Sequence, residues 1–198
     1  MSIEEMEETE AQKGRGRSRR QKEEEPFSWK KEIISWIQII AAAVVIALVL
    51  NNFIIANSRV PTGFMENTIM SKSRVIGSRL SYINSDPERG DVVIFKFPDN
   101  RDIYYVKRVI GLPGETVDIV DGKVYINDSD TPLDEPYLPE PMEGSYGPYT
   151  VPEGCYFMMG DNRNNSLDAR FWKNQFVPKK DIMAKVLFCY YPRIGKVE

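Results

Sequence analysis

The sequence predicts a mainly β protein in which a single N-terminal transmembrane helix precedes an all-β domain of antiparallel sheets. An uncharged stretch, residues 33–58, is long enough for the helix. Beyond it, short runs rich in Val, Ile, Tyr and Phe alternate with turn sequences, and no helical pattern stands out. A length of 198 residues leaves room for one ordinary domain besides the helix.

Residues 1–32 form a predicted disordered tail. Acidic residues at 4–10 and 23–25 flank the basic run KGRGRSRR at 13–20, and this composition cannot form a core. The basic run is compatible with RNA binding. A solvated segment that contacts anionic lipid headgroups is the favoured interpretation, because the apolar stretch follows at once. The formal net charge of −3 gives no support to nucleic-acid binding by the whole protein.

Residues 33–57 form the predicted transmembrane anchor. At about 1.5 Å per residue, the helix spans a hydrocarbon core of roughly 30 Å with some tilt. Trp29 and Trp36 suit the membrane interface. A cleaved signal peptide would have a shorter apolar region that ends in small residues. This stretch ends in NNFII at 51–55, so a permanent anchor is favoured.

The charges on either side of the anchor predict its orientation. Lys30 and Lys31 precede it, with further basic residues at 15–22, whereas only Arg59 follows closely. Under the positive-inside rule, the tail lies in the cytoplasm and residues 58–198 form an extracytoplasmic domain. The lipid bilayer is therefore the first predicted partner.

The extracytoplasmic domain is predicted to be a succession of β-strands. Asp121-Gly122 is a strong signal for a two-residue hairpin. Residues 128–148 contain many Pro and acidic residues and predict a surface insertion. The predicted strands are residues 75–82, 91–97, 103–110, 116–120, 123–127, 155–159 and, closing the chain, 182–190.

Lys107 stands among apolar residues in the predicted strand 103–110. Two interpretations remain open at this point. One is a side chain that lies along apolar surface with its head group in water. The other is a desolvated lysine whose lowered pKa allows it to act as a general base near neutral pH. Strand alternation separates one face, with Tyr105, Lys107 and Val109, from another, with Tyr104, Val106, Arg108 and Ile110.

The residue inventory excludes several catalytic and metal sites. The chain contains no histidine, which rules out a Ser-His-Asp triad, a Cys-His pair and His-ligated zinc. Cys155 and Cys189 are too few and too far apart for a zinc cluster of their own, and the sequence leaves open whether they form a disulfide. Neither a metal nor a cofactor is expected.

Four stretches carry a recognisable set of motifs: RVPTGFMENTIM (59–70), RGDVVIF (89–95), YVKRVIGLPG (105–114) and GDNRNNSLDARFW (160–172). In order and spacing they resemble type I signal peptidases, the membrane-bound Ser/Lys proteases that remove signal peptides from exported proteins. The resemblance extends from the anchor nearly to the C-terminus. The single anchor and the short insertion look most like enzymes of Gram-positive bacteria. The resemblance therefore implies a bacterial plasma membrane protein with signal peptides as partners.

The resemblance assigns roles to three polar side chains. Lys107 matches the general base, Ser166 the hydroxyl that orients the lysine, and Thr62 a side-chain donor to the oxyanion. A serine hydroxyl needs a neutral base in a dry site, and the developing oxyanion needs preorganised donors. We therefore expect Lys107 Nζ to be shielded from water, within hydrogen-bonding reach of Ser166 Oγ and close to Phe64, with a lowered pKa.

The last motif supplies three further positions. Asp161, Asp168 and Arg170 match polar positions of the family that are interpreted as structural, and we expect Asp168 to pair with Arg170.

One position departs from the family pattern. The residue before the methionine of the first motif is the nucleophilic serine in the family, and here it is Phe64. Its benzyl side chain has no hydroxyl, and loss of the nucleophile of a serine protease costs on the order of 10⁶ in rate. Thr62, expected on the same side of an extended segment, is a poor substitute because it lies about 7 Å from the normal attack position.

Two functions of different class follow. The first is a signal peptidase whose intrinsic activity is lost or very low. The second is a non-catalytic membrane protein that binds signal peptides or regulates their processing. Retention of Lys107, Ser166 and Thr62 favours the first. Self-cleaving repressors use a related Ser/Lys arrangement but lack an anchor and carry a DNA-binding domain, so they are a more remote match.

Overall fold

The structure, a computed structural model, describes residues 29–197. Residues 1–28 of the predicted disordered tail lie outside the described residues. The chain divides into two compact units between Ala42 and Ala43.

Helix α1, Trp29–Val49, continues into a π-helical turn at Leu50–Ile54. These residues form the one described helix that is long and apolar enough to cross a membrane. The helix starts earlier than the predicted anchor, because neither Gly nor Pro interrupts the chain from Trp29 onward. It also ends earlier, since Ile55 already pairs with Ser78 in a sheet. The helix thus overlaps the predicted anchor at residues 33–54, and the bounds of the anchor stay a prediction.

The described residues after the helix contain eleven strands joined by antiparallel pairing. Eight strands form one sheet in the order β1-β2-β10-β3-β4-β8-β9, with β11 beside β10, and three form a second sheet in the order β6-β5-β7. The predicted mainly β, antiparallel fold class is confirmed. The strands are β1 Ile55–Val60, β2 Ser73–Ser78, β3 Val92–Lys96, β4 Tyr104–Gly111, β5 Thr116–Val120, β6 Lys123–Ile126, β7 Tyr146–Thr150, β8 Cys155–Met159, β9 Phe176–Pro178, β10 Ile182–Tyr191 and β11 Gly195–Lys196.

The predicted hairpin at Asp121-Gly122 is present. The φ angles of these residues are 48° and 76°, as a type I′ turn requires, and Val120 pairs with Lys123 across the turn. Local turn chemistry is enough to fix this element.

Some elements differ from the prediction. The strand expected at 75–82 ends at Ser78, because Leu80–Tyr82 form a short 3₁₀ helix. The prediction also lacks strands β1, β7, β9 and β11. Strands β9 and β11 are too short to show alternation. The last strand of the described residues is therefore β11, which follows the strand predicted at 182–190.

Strands β3 and β4 lie inside the large sheet with both faces covered. Val93 and Phe95 belong to one apolar cluster, whereas Val92 and Ile94 belong to another. Lys107 pairs with Val93 and Arg108 with Val92, so these two basic residues point to opposite faces, as predicted. Ile110 departs from the predicted alternation and joins the cluster of Val109, next to a register shift between Val109 and Gly111.

The predicted surface insertion at 128–148 is only partly a surface feature. Many of its residues are exposed, but Met142 is buried in the core and its last residues belong to β7. Glu135 is also withdrawn from solvent, because Arg163 pairs with it.

Candidate active site

Lys107 is fully buried in the middle of β4. Its Nζ donates to Ser166 Oγ at 2.5 Å and lies 4.1 Å from the centre of the Phe64 ring. The structure thus brings together three of the residues singled out in the sequence, from three separate motifs. The Lys107 side chain therefore does not reach water, contrary to the first interpretation, and its head group is desolvated. Its role as a general base stays a prediction.

Burial lowers the pKa of Lys107 from 10.5 to about 7. Among the nearby charges, the Asp168 and Asp161 carboxylates favour the protonated amine and the Arg170 guanidinium opposes it, but desolvation outweighs them. A large fraction of the amine is therefore neutral near neutral pH. This is the protonation state that a general base needs.

Phe64 lies on a turn and not on an extended segment. Residues 62–69 form successive bends and turns, closed by hydrogen bonds from Glu66 N to Gly63 O at 3.2 Å and from Ile69 N to Met65 O at 2.7 Å. The expectation that Thr62 and Phe64 share one side of an extended strand is therefore wrong, because local backbone bonds curl the chain. Both residues still line one cleft of about 80 Å³.

This turn is attached to the loop 160–172 by polar contacts that sequence reasoning missed. Asn162 donates from its backbone N to Phe64 O and from Nδ2 to Gly63 O, both at 3.0 Å. Thr68 Oγ1 donates to Asp161 Oδ2 at 2.5 Å. Both new residues lie within the quoted motifs, but the sequence does not show what a side-chain amide or hydroxyl will bond. Together they fix the backbone that carries Phe64.

Asp161 forms a buried ion pair with Arg108. Arg108 donates from Nε and Nη2 to the two carboxylate oxygens at 2.9 and 2.7 Å, and from Nη1 to Gly90 O at 2.7 Å. Such two-pronged pairs fix orientation as well as charge. Asp161 thus ties the loop 160–172 to β4 and to the turn at Thr68.

The expected pair between Asp168 and Arg170 is present. Arg170 Nε and Nη2 donate to the Asp168 carboxylate at 2.8 and 2.9 Å, and both side chains are buried. Asp168 also accepts a bond from Gly160 N at 3.1 Å, whereas Arg170 Nη2 donates to Arg163 O at 2.6 Å. The pair closes the loop around Ser166.

Gly160 allows the close approach of these parts. A Cβ at this position would lie 2.8 Å from Ser166 Cβ and closer still to Ser166 Oγ and Phe64 O. Contacts below 3.0 Å with backbone cannot be accommodated without movement. Gly160 therefore packs its backbone directly between Ser166 and the turn of Phe64.

The remaining candidates are not part of the site. Cys155 and Cys189 are both free thiols, so they do not form a disulfide. Within residues 29–197, no group of Cys, Asp and Glu side chains is arranged to hold a metal ion.

Comparison of the chain with known proteins identifies its family. The model described as "Signal peptidase, peptidase S26" matches residues 33–191. The chain belongs to the signal peptidase family. The resemblance to type I signal peptidases is thereby confirmed, and the family is one of proteases that act in protein secretion. The apolar helix is compatible with a membrane anchor.

Individual signal peptidases align with most of the chain. Signal peptidase I S of Bacillus subtilis (strain 168) is 38% identical over 180 residues, which cover 85% of this chain and 94% of that protein. Probable signal peptidase I-2 of Synechocystis sp. is 36% identical over 171 residues, which cover 81% of this chain and 77% of that protein. A crystal structure of a signal peptidase I from Enterococcus faecalis V583 is 35% identical, with a TM-score of 0.43, and covers 51% of this chain and 97% of that one.

Proposed function

We propose that this protein is a type I signal peptidase by architecture in which Lys107 is the general base and Phe64 occupies the position of the nucleophilic serine. The reaction of the family is the removal of signal peptides from exported preproteins by a Ser/Lys dyad. With Phe64 at that position, the chain has lost most or all of this activity. The contact of buried Lys107 with Ser166, beside the Phe64 ring, carries the proposal.

The roles follow from the chemistry of each group. A neutral, desolvated amine accepts a proton from a hydroxyl close to neutral pH, and Ser166 orients the amine through its hydrogen bond. Thr62, on the same cleft as Phe64, is assigned as the side-chain donor to the oxyanion. Asp161, Asp168 and Arg170 hold the loop by their ion pairs. No metal or cofactor takes part in this scheme.

Phe64 accounts for the proposed loss of activity. A benzyl group cannot attack a carbonyl, and Thr62 lies on a different part of the turn. Loss of a catalytic serine lowers the rate on the order of 10⁶-fold, and only the contribution of substrate binding and oxyanion donors remains. The base and its orienting hydroxyl are otherwise assembled for the reaction.

The proposed location follows from the helix and its flanking charges. We assign residues 33–57 to a single anchor in the plasma membrane of a bacterium, with residues 1–32 in the cytoplasm and 58–198 outside as the peptidase domain. Lys30 and Lys31 on the proposed cytoplasmic side support this orientation. Signal peptides would then reach the cleft from the outer face of the bilayer.

Cleavage of a preprotein with a small-x-small motif before the cut tests the proposal. The unmodified chain should give no cleavage above background, Phe64→Ser should restore it, and Phe64→Ser with Lys107→Ala should abolish it again. Phe64→Ala is the matched control, because it removes the ring without adding a hydroxyl, and it should remain inactive.

Two results would contradict the proposal. Cleavage by the unmodified chain that stops with Lys107→Ala would assign the nucleophile to another hydroxyl, with Thr62 as the candidate. Failure of Phe64→Ser to cleave would favour the alternative, a non-catalytic membrane protein that binds or regulates signal peptides.

A further inference from the structure

The segment between β6 and β7 contacts the loop 160–172 through a buried ion pair. Arg163 donates from Nη1 and Nη2 to the two carboxylate oxygens of Glu135 at 2.9 and 2.5 Å. The Arg163 and Glu135 side chains are only 1% and 6% exposed. A bidentate pair of this kind fixes geometry as well as charge. Glu135 thus determines where the Arg163 side chain lies.

Arg163 extends this contact towards the active site. Its Nε donates to Gly160 O at 3.1 Å, and its own carbonyl accepts a bond from Arg170 Nη2 at 2.6 Å. Gly160 in turn packs directly against Ser166. Arg163 therefore holds the loop on both sides of the hydroxyl that bonds Lys107.

Tyr137, from the same segment between β6 and β7, also helps to hold the loop 160–172. Tyr137 donates from its hydroxyl to Glu135 Oε1 at 2.8 Å, and its ring lies 3.7 Å from the guanidinium carbon of Arg108. Arg108 is the partner of Asp161. The segment thus contacts Arg163 and Arg108, two of the arginines that hold the loop 160–172 in place.

The loop also brings most of the charge that faces Lys107. Asp161, Asp168 and Arg170 all lie on it. Residues 61–65 bring no charged side chain, and Arg108 points to the opposite face of β4. A shift of the loop would change both the charges around the amine and the access of water to it.

We propose that Glu135 is a positioning residue for the Lys107–Ser166 pair, because its hold on Arg163 keeps the loop 160–172 closed over Lys107. This inference rests on the proposed function, in which Lys107 is the base. Without the carboxylate, the buried Arg163 loses its charge partner and the loop loosens. The pKa of Lys107 then rises towards its ordinary value, since burial is the main cause of its lowering.

NMR titration of the labelled full-length chain in detergent micelles tests the proposal without requiring activity. Lys107→Arg identifies the Lys107 signal. We expect Glu135→Gln to raise the Lys107 pKa by about one unit or more. Asp134→Asn, which neutralises an exposed carboxylate one residue away, is the matched control and should leave that pKa unchanged.

Glu135→Asp gives a second variant if Glu135→Gln does not fold, because it keeps the charge but withdraws it by one methylene. Glu135→Asp should also raise the Lys107 pKa. An unchanged pKa in a folded Glu135 variant overturns the proposal, and a lower melting temperature alone would then assign Glu135 to stability only.

Kinetics in a Phe64→Ser background provide the second measurement. Glu135→Gln should lower kcat/KM on the order of tenfold and move the acid limb of its pH profile to higher pH, because the base must lose its proton. An unmoved acid limb counts against the positioning role. If Phe64→Ser restores no cleavage, the proposed function fails, while the NMR titration still decides the role of Glu135.

Discussion

Lys107 Nζ lies 4.1 Å from the centre of the Phe64 ring. The Lys107 side chain is completely shielded from water. The ring also makes an edge contact with Tyr105, with centroids 6.4 Å apart. An aromatic face attracts a cation, but the pKa of about 7 means that the amine is held without its proton much of the time near neutral pH. The Phe64 ring therefore packs against the Lys107 amine. Among the hydrogen bonds of the described residues, the hydroxyl that this amine contacts is that of Ser166.

Lys107 makes the stability of the protein depend on pH. Its pKa is about 7 when folded and 10.5 as an ordinary lysine. Between these values the unfolded chain binds more protons, so the contribution of Lys107 to the free energy of unfolding rises with pH across this window. Below about pH 7 the amine is charged in both states and its burial is fully unfavourable. Above about pH 10.5 it is neutral in both.

Lys107→Met should remove this dependence. We expect the free energy of unfolding of the variant, relative to that of the unmodified chain, to be highest near about pH 6. This difference should shrink towards about pH 10. Loss of the bond to Ser166 adds a cost of about 1–3 kcal/mol that does not vary with pH. Chemical denaturation at fixed pH measures the difference. Lys123→Met, at an exposed lysine, should show no such slope, and a constant difference for Lys107→Met would contradict the lowered pKa.

Gly160→Ala should disrupt the site. The added Cβ collides with Ser166 and with the backbone of Phe64. We expect a loss of stability of about 1–3 kcal/mol and, in a Phe64→Ser background, loss of the restored cleavage. Gly195→Ala is the control, because a Cβ there meets nothing within 4 Å. Equal melting temperatures for the two variants would show that the loop has room that the structure does not provide.

Asp168→Asn should destabilise the fold through Arg170. Both partners are buried, and removal of one charge leaves the other uncompensated at a cost of about 3–5 kcal/mol. The pair Asp86–Lys179 is largely exposed, so Asp86→Asn should cost at most about 1 kcal/mol. Denaturant titration of both variants gives the comparison. A similar small effect at both positions would mean that the buried pair does not stabilise the loop.

The orientation of the proposed anchor predicts protease access. Protease added to intact cells without their wall should digest the chain beyond about residue 60, because this part is assigned to the outside. Immunoblotting for tags at both ends follows the fragments, with permeabilised cells as the control in which both ends are digested. Loss of the N-terminal tag alone from intact cells would reverse the proposed topology.

Much of the fold could be predicted because its signals are local. The uncharged stretch predicts a helix from composition alone, and strands β5 and β8 have the predicted bounds. The turn at Asp121-Gly122 follows from the φ angles that those two residues tolerate. These features depend on neighbours along the chain. Strands β9 and β11 depend on a partner strand, and the sequence did not reveal them.

The site shows the same division. The order of the motifs singled out Lys107 and Ser166, but it did not reveal that Asn162 holds the turn of Phe64 or that Glu135 pairs with Arg163. A side-chain amide or carboxylate has many possible partners, and only the folded chain selects one.

Sequence by itself determined which chemical groups this protein has: a lysine in a β-strand, a serine in a polar loop, a phenylalanine in the first motif, and no histidine. Tertiary structure alone decided the state of the lysine. A lysine at a strand position is charged if its head group reaches water, and burial of the head group lowers its pKa and favours the neutral amine. Here Phe64 and Ser166 exclude water from the Lys107 amine. Both residues are far from Lys107 along the chain, so only the folded structure shows that they bury it.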